Sequence, residues 1–205
     1  MIADLINVTI KNQVDTLLTK RAEIIEKTDL QTLSDFINAL VLVHIRYWQF
    51  EDKIEGMDNL STIGKLKRET NSLFKVQRPG LIKSIDRIII NLLKENYSIE
   101  SLHCQLELSI IDNVKLIGSP DDFDLLYSDT LSELIDKLAI IHIRRWYLKS
   151  SFLNNSSSEL TLKLDIIDNK KIPMLVSCLD KLLILIASEK VDFVPVNVKF
   201  YKGVN

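Results

Sequence analysis

The sequence predicts an all-α protein, a helical bundle with an internal duplication, and three observations carry that expectation. Glycine and proline number only 5 and 4 in 205 residues, too few for the repeated corners of a barrel or for Gly-rich phosphate loops. Apolar residues make up 46% of the chain and recur at three- and four-residue spacings, the signature of amphipathic and buried helices. The third observation is that the chain matches itself. Its length suits one helical domain, 1–205, with a single sizeable core. With 26 Lys+Arg against 28 Asp+Glu, a formal net charge of -2 supplies no global basic field. Nucleic acid is therefore a disfavoured partner, and any such contact must be local.

Residues 32–48 and 130–146 align at a shift of 98 with nine identities in seventeen positions: Thr32/Thr130, Leu33/Leu131, Ser34/Ser132, Ile37/Ile135, Leu40/Leu138, His44/His142, Ile45/Ile143, Arg46/Arg144 and Trp48/Trp146. Ordinary residue usage gives about one match by chance. A weaker match follows at a shift of 94, through Pro79/Pro173, Leu81/Leu175, Asp86/Asp180, Ile90/Ile184 and Glu95/Glu189. The drop from 98 to 94 removes about one helical turn between the matched blocks. The expected plan is two repeats, 30–96 and 128–190, related by an approximate twofold inside one body, because either alone is near the size at which a core becomes marginal.

Taken in order, residues 3–27 form a first helix candidate. Signals at Thr28-Asp29 open a helix from about residue 30 to Glu55, which Gly56 ends. Residues 62–76 carry Ile63, Leu66, Leu73 and Phe74 at helical spacing, and Pro79 then starts a new helix to about Glu95. Residues 98–115 are a further candidate. In the second repeat Ser128-Asp129 caps a helix to about Leu153, residues 154–158 form a polar loop, and helices follow at 159–168 and 173–189. Residues 191–205 break the pattern: Val191 to Tyr201 is rich in β-branched and aromatic residues and contains Pro195, so an extended C-terminal arm is expected, packed along the bundle or added to a partner as a strand.

Compartment and partners follow from smaller signals. The longest apolar runs, 39–43 and 182–187, fall far short of a membrane span, and Met1-Ile2-Ala3-Asp4 does not open like a secretion signal. Cys104 and Cys178 sit singly in apolar stretches, as expected of a reducing compartment. A cytoplasmic protein without a membrane partner is expected; self-assembly stays open.

On a helical wheel at about 100° per residue, Leu131, Ile135, Leu138, His142 and Trp146 share one apolar wedge, as do Leu33, Ile37, Leu40, His44 and Trp48. These two helices are apolar over most of their circumference and are expected to be the central pair. Each histidine then lies mid-stripe, where an imidazole needs polar company. Either each is satisfied inside the core by a carbonyl, tyrosine or carboxylate, or the twofold brings both to one pocket walled by Trp48 and Trp146, with Glu51 as an acid. Arg46, Arg78, Arg144 and Arg145 either pair with the abundant carboxylates or clamp a phosphate or carboxylate. His44, Arg46, Trp48, Arg78, His142, Arg144, Arg145 and Trp146 are thus the candidate ligand-binding residues.

Catalytic and metal signatures are absent from the sequence. Glu51-Asp52 has Lys149-Ser150 as its counterpart, so the paired acids of a di-metal bundle are missing and no metal or cofactor is expected. Lys65 to Arg68 reads as a solvated basic face, and Asp121, Asp122 and Asp124 as an acidic helix start rather than a calcium loop. His103 and Cys104 are adjacent, so on a helix they diverge and form no base and nucleophile pair.

The stretch from Ser132 to Ile140, followed by His142-Ile-Arg-Arg-Trp146, resembles a Ser-x-x-Glu-Leu-Ile-Asp-Lys-Leu-x-Ile helix of several uncharacterised bacterial and phage helical families. His44-x-x-x-Trp48-x-x-Glu51-Asp52 resembles a segment of one such group, and Gln77-Arg78-x-x-Leu81-Ile82-x-x-Ile85-Asp86 its later helix. The resemblance implies an all-helical fold and a microbial or phage setting, in the host cytoplasm if phage-encoded, and brings no activity with it. The expectation is a non-catalytic binding or regulatory protein, such as a phage accessory or inhibitor, that recognises a protein partner or small anionic ligand. Two alternatives stand beside it: a metal-dependent hydrolase or transferase acting on a phosphorylated small molecule through His44, Glu51 and His142, and a structural assembly subunit.

Overall fold

The computed structural model describes residues 2–20, 30–55, 57–94, 130–154, 157–187, 191–192 and 202–203. They form seven α-helices: α1 (Ile2–Lys20), α2 (Leu33–Glu55), α3 (Leu60–Ser72), α4 (Arg78–Lys94), α5 (Leu131–Asn154), α6 (Ser158–Ile166) and α7 (Ile172–Ala187). An all-α bundle is what the sequence predicts. α2 and α5 pack on each other at its centre; α1 lies against α2, α5 and α7, while α4 lies against α2, α5 and α7. Ile37, Leu40, Ile45, Ile135, Leu138 and Ile143 are fully buried in one apolar cluster that also takes in α1, α4 and α7.

The repeated Thr-Leu-Ser-acid motif opens both central helices. Asp35 N–H donates to Thr32 Oγ1 at 3.1 Å while Thr32 N–H donates to Asp35 Oδ2 at 2.9 Å. Glu133 N–H donates to Thr130 Oγ1 at 3.2 Å and Thr130 N–H to Glu133 Oε2 at 2.9 Å. Each is a capping box, in which side chains satisfy helix-end donors reciprocally. The helix starts therefore lie at Thr32 and Thr130, a few residues beyond the expected Thr28-Asp29 and Ser128-Asp129. Asn59 caps α3 by accepting from Ser61 and Thr62 N–H, and Ser157 caps α6 by accepting from Leu160 N–H.

The prolines do not start new helices. The chain stays helical from Leu60 to Lys94 and from Ser158 to Ala187, and each run passes through a π turn, Leu73–Gln77 and Ile167–Lys171. Arg78 N–H bonds to Leu73 O, and Ile172 N–H to Ile167 O. Pro79 and Pro173 follow at once. A proline cannot donate and its ring collides with the carbonyl one turn back, so widening the preceding turn lets the helix continue.

The C-terminal region is likewise not a simple arm. Val191–Asp192 (β1) and Lys202–Gly203 (β2) pair antiparallel with each other, so residues 191–203 fold back on themselves. The helix candidate at 98–115, His103, Cys104 and the acidic stretch at 121–124 lie outside the described residues. Among the described residues no helix is long and apolar enough to cross a membrane.

Candidate functional site

The first repeated histidine is built into an ion network. His44, 1% exposed on α2, donates from Nε2 to Asp136 Oδ1 on α5 at 2.7 Å. Arg78, at the start of α4, holds the same carboxylate from its other side, Nε to Oδ1 at 3.0 Å and Nη2 to Oδ2 at 2.6 Å. A carboxylate only accepts, so the imidazole must present an N–H here. Burial by itself pushes the Asp136 carboxyl up, but the bonds and charges of His44 and Arg78 outweigh it and hold it below the ordinary carboxylate range. Phe74, from the first π turn, completes the cluster: the Arg78 guanidinium stands 4.9 Å from its ring centre, His44 meets it edge-on at 5.9 Å, and Tyr47 lies at 4.5 Å. One network thus ties α2, α4 and α5 together.

The second histidine finds different company. His142, also buried, donates from Nε2 to Asn7 Oδ1 on α1 at 2.7 Å. Burial, then the charges of Arg145 and Lys11, push its pKa down from 6.5 to about 4, against an opposing pull from Asp168. It is a neutral core histidine at physiological pH. Arg145 is bound by both oxygens of Asp168, from the second π turn. His44 and His142 therefore serve separate networks, one on α5 and one on α1, and the shared histidine pocket that the twofold suggested is not formed by these contacts. Glu51 is exposed, two turns along α2 from His44.

The remaining candidates point elsewhere. Arg46 lines a cleft of about 460 Å³ between α2 and the π turn and start of α4. On the α2 side Asn38, Ala39, Leu42 and Val43 accompany it; on the other side stand Val76, Gln77, Gly80, Leu81 and Ser84. Trp48 is 40% exposed. Trp146 is half-buried, edge-on to Tyr147 at 5.4 Å, and packs on the core, while Arg144 is exposed. Among the described residues no three His, Cys, Asp or Glu side chains gather as metal ligands. Cys178 is a buried free thiol.

Asp136, Asn7, Phe74 and Asp168 are the partners that sequence reasoning missed. One signal pointed to Asp136: a carboxylate between Ile135 and Leu138 in an otherwise apolar helix requires a cation. No protein-family model, curated protein or solved structure matches this chain.

Proposed function

We propose that the protein is a non-catalytic cytoplasmic binding protein, built by internal duplication, that takes a small anionic ligand in the cleft between α2 and α4. The observation that carries this reading is Arg46 lining a concave site of ligand size, about 460 Å³, whose walls mix apolar residues with Asn38, Gln77 and Ser84. The fate of the other candidates supports it. His44 and Arg78 are taken up by Asp136, His142 by Asn7 and Arg145 by Asp168. Those residues act as internal fasteners, which leaves the cleft as the place where a repeated arginine meets a cavity.

A guanidinium offers a planar fork of donors to a carboxylate or phosphate. A thermal-shift panel of inorganic phosphate, simple carboxylates and nucleotides tests the reading. A ligand at a hundred times its dissociation constant adds about 2.7 kcal/mol, enough for a shift of several degrees. The shift is expected to vanish in Arg46→Gln and to persist in Arg144→Gln, whose position is the repeat counterpart. A flat panel for the unsubstituted protein would withdraw the proposal.

A further inference from the structure

We infer that the ligand of this cleft is an amphiphile, with one anionic head at Arg46 and an unbranched apolar tail running along Ala39 and Gly80. The inference rests on the anion-binding reading above and names the ligand's chemical class. It comes from the order of residues along the groove. α2 and the helical run 60–94 are joined by a short connector and so run antiparallel, and Phe74 stands against His44 and Tyr47. Arg46 is therefore at the end bounded by Val76, and Asp35 at the other end, near Ser84.

From position 35 to position 46 the groove extends about 16 Å at 1.5 Å per residue. It is long rather than round. Between its ends the lining is chiefly Ala39, Leu42, Gly80 and Leu81, with Asn38 and Gln77 on the walls. Asp35 accepts from Gln31 and Thr32 N–H in the cap of α2, and its negative charge turns an anionic head toward Arg46. A compact anion such as phosphate would leave most of this apolar length against water, whereas a tail would cover it.

The narrowest residues are where the two repeats differ. At the matched positions the second repeat carries Lys137 for Ala39, Met174 for Gly80 and Lys170 for Val76. A Cβ added at Gly80 meets nothing within 4 Å, so the space beside it belongs to the groove. Ala39 and Gly80 thus set the room for a tail, and the second repeat shows which side chains would fill it.

Calorimetric titration of the full chain with hexanoate, octanoate and decanoate, the matching alcohols and inorganic phosphate tests this. Affinity is expected to rise about fourfold per methylene through the series, with each acid at least about tenfold tighter than its alcohol. Gly80→Met, which also improves helix propensity, is expected to keep or raise Tm and abolish the chain-length dependence. Arg46→Gln is expected to remove the difference between acid and alcohol. If phosphate and the shortest acid bind through Arg46 with no gain from longer tails, the amphiphile is overturned and the anion site stands. If no anion binds, both fall. A response only to an acidic amphipathic helical peptide would give the groove to a protein partner and overturn the small-molecule assignment.

Discussion

In the first repeat, positions 47 and 74 hold Tyr47 against Phe74; in the second, the matching positions, 145 and 168, hold Arg145 against Asp168. The same two places in the helix plan touch in both, once through aromatic rings and once through charge. Contacts between the repeats do not correspond in this way. Asp86 accepts from Ser132 N–H at the start of α5 at 2.9 Å, but its counterpart Asp180 has a buried Oδ1 without a hydrogen-bond partner among the described residues. Ser34, the counterpart of Ser132, receives Gln13 of α1 instead. The difference teaches that local helix geometry carries over from repeat to repeat, whereas the inter-repeat contacts depend on α1, which lies against α2, α5 and α7.

The sharpest way to break this comparison is to remove one carboxylate from each repeat's ion pairing. Asp136→Ala strands a buried imidazole and a guanidinium, and about 3–5 kcal/mol of stability is expected to go. Asp168→Ala, at a pair whose side chains are 18% and 33% exposed, is expected to lose no more than about 1 kcal/mol. Urea unfolding of both variants checks this, and equal losses would contradict the contrast.

The histidines give a second handle through pH. The unfolded chain takes up a proton at 6.5, whereas folded His142 does so only at about 4. Its stabilising contribution is whole above 6.5 and is lost as pH falls toward 4, a change on the order of 3 kcal/mol. His142→Phe is expected to flatten that part of the stability profile. Asp136, held below the ordinary carboxylate range, contributes throughout that window and loses its contribution only at lower pH. The smallest effect belongs to the caps: Thr32→Ala and Thr130→Ala are each expected to cost about 1 kcal/mol. Matching losses in thermal unfolding would extend the likeness of the repeats to their energetics, and a twofold disparity would limit it to geometry.

Much of the architecture was legible because periodicity and capping are local. The wedge containing Leu33, Ile37 and Leu40 is the buried face observed, and the repeated Thr-x-x-acid spacing carried both capping boxes. The starts were set too early because Thr28-Asp29 and Ser128-Asp129 have capping chemistry of their own, and only the reciprocal bond to the third residue on distinguishes the true cap. The site was less legible. His44 meets Asp136 across 92 positions, His142 meets Asn7 across 135, and Arg78 meets Asp136 across 58. Such pairings depend on how helices cross, which no single-helix pattern encodes. The cleft beside Arg46 escaped notice for the same reason, since half of it belongs to another helix.

Each π turn also acts as a phase setter. Removing one residue from Leu73–Gln77 would rotate everything after it by ~100° about the helix axis. Ile85, Asp86 and Ile89, now directed inward, would swing away from the core, and the lining of the cleft would turn with them. The chain can therefore accept new chemistry at 74 or 168 more readily than a change in the number of residues around them.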